Sequence, residues 1–183
     1  PAAFQGFQPK QASALKPQLF SVLNNKQLAA FRPNSFAAFS ARQVKQLKPR
    51  SLSALNPKQF SKLQPKTLAA FSTKQFQKLP TALFRTLKGK QLAAFGKKDL
   101  NALSADQLKA IQPNKLVALK PGLLKSLKPD QISSFSLKQL RAFSPKQQRR
   151  LSTSFINALS NKQRKQLKFI DSDPITNNNK NNG

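Results

Sequence analysis

The chain has 183 residues, with 33 Lys and Arg against five acids and a formal charge of +28. It contains no Glu, His, Cys, Met, Trp or Tyr, which removes the usual general base, the commonest metal ligand and every disulfide or thiolate site. The acids are Asp99, Asp106, Asp130, Asp171 and Asp173, too few for a carboxylate pair in the body of the chain, so composition points away from an enzyme and no cofactor is expected.

Residues 1–6 read as a short lead-in, beginning at Pro1 without Met as a processed or excised segment would. No run reaches the roughly 18–20 apolar residues of a membrane helix, and no signal-type segment is present. From Phe7 onward the dominant feature is a period of eight. Steps of eight from Phe7 land on Leu, Phe or Ile without interruption as far as Leu167. With that residue as position one, position six is almost as regular, from Phe20 through Leu68 and Leu108 to Ile156, and only Gln148 and Arg164 are polar. Ten of the 13 prolines fall at position three. Ala is the usual residue at position eight, giving the unit apolar–polar–Pro–Lys–Gln–apolar–x–Ala.

An uninterrupted helix does not fit this period. At about 100° per residue, an eight-residue step drifts by roughly 80°, so the anchors would not form a stripe. Proline at position three of the octad would also break such a helix every eight residues, at about 3 kcal/mol each time. A β-solenoid suits an even period, but β-branched residues are scarce, and Ala, Gln, Lys and Leu favour helix. Capping chemistry decides between them. With position two as N-cap, Pro falls at N1, where its missing N–H costs nothing. Gln then falls at N3 and completes capping boxes in Ser40–Gln43, Ser72–Gln75, Ser104–Gln107, Ser136–Gln139, Ser144–Gln147 and Ser160–Gln163. Positions one and six become the N′ and N4 ends of a hydrophobic staple, as in Phe39/Val44 and Phe71/Phe76.

Each octad is therefore a complete helix start that stops after about one and a half turns. Such helices do not persist alone, so their Leu and Phe pairs must pack into a shared core, as in a solenoid. The expectation is an all-α solenoid or superhelix over residues 7–169, with one very short helix per octad. Two longer periods overlie the octad. Gln alternates at position five (Gln11, Gln27, Gln43, Gln59, Gln75, Gln91, Gln107) until about residue 115, which suggests pairing into 16-residue units on opposite sides of a flattened superhelix. An apolar-Ser-x-x-Gln start also recurs at 39, 71, 103 and 135, a spacing of 32 that a duplication history would equally leave.

Near the C-terminal end, FSPKQQRRLS (143–152) has Gln148 where an apolar anchor is expected, followed by Arg149 and Arg150. This reads as a weakened core beside a local rise in charge. Residues 170–183 are Asn-rich and polar, a linker or disordered tail. Asp171 and Asp173 fall well short of a calcium loop.

Twelve basic residues sit at position four: Lys10, Lys26, Arg42, Arg50, Lys58, Lys66, Lys74, Lys90, Lys98, Lys138, Lys146 and Lys162. That position is N2, where a cation opposes the helix dipole. One reading is a solubilising face that also resists self-association. The other is a periodic polyanion site, in which helix amides and N2 cations act together and Arg149 and Arg150 add to them. With so few acids to balance the charge, the second reading is preferred. The partner is then an anionic glycan, an acidic protein surface or nucleic acid. Phe is the only aromatic and lies in core phase, so base stacking is not expected. The proline spacing denies the long amphipathic face of a membrane-surface helix, and Thr is too sparse for an ice-binding ladder.

The octads LSADQLKA (103–110), FSTKQFQK (71–78) and FSLKQLRA (135–142) resemble the Leu-Ser/Thr-x-x-Gln-aliphatic-x-Ala octapeptide arrays of some very large bacterial surface or secreted repeat proteins. The resemblance covers about residues 7–167. It implies a cell-surface or secreted structural array and brings no catalytic residues. The prolines and the positive charge depart from that pattern. Two functions remain: a structural repeat or scaffold whose basic face holds a polyanion, or a dedicated nucleic-acid-binding solenoid without sequence preference.

Overall fold

In the computed structural model, which describes residues 6–168, each octad forms one short helix followed by an extended corner. The described residues hold 20 helices of four to six residues and no strand. The tail expected over 170–183, its two aspartates and nearly all of the lead-in lie outside the described residues.

The corners are made without glycine conformations: among the described residues none has a positive φ and no peptide is cis. Position one closes a helix in extended geometry, as at Leu47 (φ −60°, ψ 129°), and position two continues it, as at Lys48 (φ −63°, ψ 133°). A following proline favours that conformation in the residue before it, so the prolines fix both the corner and the next helix start.

Every helix packs against the one three places earlier. Pro33–Phe36 lies on Pro9–Ala14, Ala41–Gln46 on Pro17–Phe20, and Pro49–Ala54 on Asn25–Ala30; the series runs on to Asn161–Arg164 on Leu137–Arg141. The chain thus returns over itself every 24 residues, with three octads to the turn, and its helices sort into three stacks. Stack 1 begins with Pro9–Ala14, stack 2 with Pro17–Phe20 and stack 3 with Asn25–Ala30. Positions one and six of nearly every octad turn inward into one continuous core. Phe71 and Phe76, a staple pair, meet edge to face with centroids 5.8 Å apart, and Phe20, Phe31, Phe36 and Phe39 form a ring cluster spanning two turns.

The paired 16-residue unit does not form, and the reason lies in what Gln does at position five. In Ser72–Gln75, the Gln Oε1 accepts the N-cap amide at 2.7 Å and Ser72 Oγ accepts the Gln75 amide at 3.2 Å, completing the expected capping box. The same Gln75 Nε2 then donates to Val44 O and Leu47 O, both at 2.8 Å, in the corner of the turn beneath. Carbonyls only accept, so the nitrogen end must face them. Gln43, Gln59, Gln91, Gln107, Gln131, Gln139, Gln147 and Gln163 repeat this tie to the carbonyl 28 residues back. Ser35, Ser51 and Thr67 make it with a hydroxyl at 2.7–2.9 Å. Since a turn holds an odd number of octads, alternation places a long tie at every second level of each stack. The 32-residue recurrence has no counterpart in the packing.

Candidate polyanion interface

The N2 cations are displayed by the caps that build the helices. Within most of the short helices, N3 and N4 turn inward as the tie and the core anchor, which leaves N2 facing out. All twelve position-four cations are exposed, as are Arg149 and Arg150. The inward side of the same helices holds the aromatics: every described Phe is buried except the half-buried Phe7, so none is presented to a base.

The 24-residue turn sorts these charges in a way the octad alone does not reveal. Stack 2 carries Arg42, Lys66, Lys90, Lys138 and Lys162 at position four, and stack 3 carries Lys26, Arg50, Lys74, Lys98 and Lys146. Stack 1 carries only Lys10 and Lys58, and two of its position-four residues are the exposed acids Asp106 and Asp130, one turn apart. Packed helices lie about 8–10 Å apart, so stacks 2 and 3 repeat their charge at about that interval, with gaps at Gln18, Asn114 and Gly122. The twelve cations therefore do not share one face. The structure brings ten of them into two ladders and leaves two on the third stack.

The helix amides contribute less than the sequence suggested. In the box octads the N-cap amide is held by Gln Oε1 and the N3 amide by the cap side chain, as in Ser104–Gln107 at 2.9 and 3.1 Å. Where Pro occupies N1 there is no amide to offer. The charge available to an anion is mainly that of the side chains.

Lysines outside position four join the surface. A cleft of about 240 Å³ between stacks 1 and 2 is lined by Lys62, Lys88 and Lys90 with Ser61 and Gln64. Lys62 and Lys88 were not among the sequence candidates, because positions eight and two carry no regular charge; their separation of 26 residues, close to one turn, is the only signal.

Gln148 corrects the reading of 143–152 as a weakened core. It is buried, its Nε2 donates to Phe143 O at 2.9 Å and its Oε1 accepts the Lys168 amide at 2.7 Å. Arg164 makes the same reach, its Nε donating to Leu159 O at 3.2 Å. At these two levels position six is a polar link to the corner that begins its own octad.

Among the described residues, Asp99 is the one carboxyl drawn inside. It occupies a Gln position, accepts the Gly96 amide at 2.8 Å and is buried. Desolvation raises its pKa above the ordinary value, opposed by the Gly96 amide and the Lys98 charge. No described group of three His, Cys, Asp or Glu side chains could hold a metal ion, and no described helix is long and apolar enough to cross a membrane. Compared with known proteins, the chain matches no family model and no curated sequence.

Proposed function

We propose that this chain is a non-catalytic structural repeat module, a solenoid scaffold whose basic surface binds a polyanionic partner. The observation that carries the reading is the outward display of twelve N2 cations on helices whose ties and core anchors face inward. A cation at N2 opposes the helix dipole by about 0.3–1 kcal/mol. Twelve such positions, almost without acids to balance them, are explained by an external anion that recovers this cost. The likeness to octapeptide arrays of bacterial surface proteins favours a cell-surface or secreted setting.

A second reading is a dedicated nucleic-acid-binding array working through phosphate contacts alone. The uninterrupted positive sign of stack 2 supports it. Competition between a heparin-like polymer and duplex DNA across a salt series separates the two. The scaffold reading expects selectivity for a particular anionic glycan or acidic protein over DNA of equal charge. The nucleic-acid reading expects log K to fall steeply with log salt and to ignore base sequence. Absence of binding to any polyanion near physiological salt would leave a plain spacer.

A further inference from the structure

Resting on the polyanion reading, we infer that the partner is a linear anionic polysaccharide laid along the stacking axis over stacks 2 and 3, with stack 1 facing away. Whole octads divide as the N2 residues do. Stack 1 carries seven cations and two exposed acids, stack 2 twelve cations and no acid, and stack 3 twelve cations and only the buried Asp99. A compact acidic ligand needs a patch. These charges instead run the length of the array, one level above another, at the helix spacing of about 8–10 Å.

Two observations narrow the polymer. A duplex winds each phosphate strand around its axis and returns it to the same side only every ~34 Å, so most rungs of an axial ladder would miss it. An extended single chain can meet every rung. Single-stranded nucleic acid is held through bases stacked on aromatic platforms, worth about 1–3 kcal/mol per base, and here every described Phe is turned into or against the core. Eight of the ten ladder cations are Lys, compact point charges that impose no bidentate geometry and accept sulfate, carboxylate or phosphate alike. Sulfates or carboxylates along a sugar chain match such sites without needing a fixed register.

The test compares two variants of the full chain. One carries Lys66→Gln, Lys90→Gln, Lys74→Gln and Lys98→Gln, removing four ladder charges. The other removes four charges from stack 1, with Arg32→Gln, Arg85→Gln, Lys109→Gln and Lys128→Gln. All eight side chains are exposed, and unchanged far-ultraviolet circular dichroism confirms the fold in each. The probes are heparin-derived oligosaccharides of increasing length, oligo-dT and duplex DNA at matched charge. The parent is expected to bind the glycan most tightly, with affinity rising with oligosaccharide length until the array is spanned. The ladder variant should lose about tenfold or more relative to the stack 1 variant. Equal losses in the two variants would overturn the ladder while leaving polyanion binding intact. A preference for oligo-dT or duplex would overturn the glycan. Failure of the parent to bind any probe near physiological salt would overturn the underlying reading itself.

Discussion

Octads 71–78 and 79–86 are neighbours in the chain, share the same core phase and fold differently. In the first, Ser72 caps the Gln75 amide, Phe76 donates to Ser72 O at 3.0 Å, and Thr73–Gln77 is α-helical. In the second, Pro80 is the N-cap and Leu83 takes the Gln position. No cap side chain competes for the Leu83 amide, which donates instead to Pro80 O at 3.0 Å, and Thr81–Thr86 tightens to a 3-10 helix. All three 3-10 helices, beginning at 49, 81 and 121, lack Gln at N3. Leu83 suits its place, because a proline N-cap has no N–H for a Gln oxygen to accept. That side chain sets the presence of a long tie to the turn below. The helix type needs more than its loss, since Pro17–Phe20 and Pro113–Leu116 are α-helical with Leu19 and Lys115 at N3.

Breaking the tie gives the largest expected effect. Gln75→Glu keeps the shape but sets a carboxylate against Val44 O and Leu47 O in a buried site. The expected cost is about 3–5 kcal/mol, measured by urea unfolding at neutral pH. Proton uptake restores a donor, so the variant's folded-state pKa lies above its unfolded value, and stability should return as pH falls. Gln75→Leu, which imitates Leu83, leaves no buried charge and should cost only about 1–3 kcal/mol.

A gain should follow from making a 3-10 octad more like its neighbours. Leu123→Gln has the Lys120 amide available for its oxygen and Phe95 O, 28 residues back, for its nitrogen. About 0.5–1.5 kcal/mol of stabilisation is expected; a loss would show that the 3-10 octads are built around the apolar side chain.

Asp99 supplies the smallest and most specific effect. Its folded-state pKa is raised, chiefly by desolvation, so the folded chain holds this proton more tightly than the unfolded one. The associated stability is present below the unfolded value near 3.8 and is lost as pH rises through the folded pKa. Thermal unfolding of the parent should show that decline, and Asp99→Asn should flatten it. Identical pH profiles for the two proteins would remove Asp99 as its source.

Much of this architecture was legible. The eight-residue period, proline at N1, serine caps and staple pairs specify each helix, and the structure contains them in Ser40–Gln43 and Phe71/Phe76 alike. The number of octads per turn was not legible, because positions one and six look alike in every octad and carry no mark of which neighbour they meet. Alternating Gln pointed to two octads per turn, since a capping box uses only its Oε1. The use of Nε2 left two traces: Ser35, Ser51 and Thr67 replace Gln with other donors, and Glu, which completes such a box equally well, is absent from the whole chain. The spacing of 24 between Asp106 and Asp130 carried the turn itself, but a single pair is too little to establish a period. At Gln148 a polar residue in core phase looked like weakness, and only the positions of Phe143 O and the Lys168 amide show it to be satisfied.

The three-octad turn underlies both the ties and the charge ladders, and distance measurement tests it most directly. The chain has no Cys, so cysteine pairs introduced at exposed positions take spin labels cleanly. Lys66→Cys with Lys90→Cys places labels one turn apart on stack 2, and Lys66→Cys with Ala82→Cys places them two octads apart. Dipolar broadening should be strong for 66/90, whose helices lie about 8–10 Å apart, and weaker for 66/82. A closer approach of 66 to 82 than of 66 to 90 would contradict the fold on which the account rests.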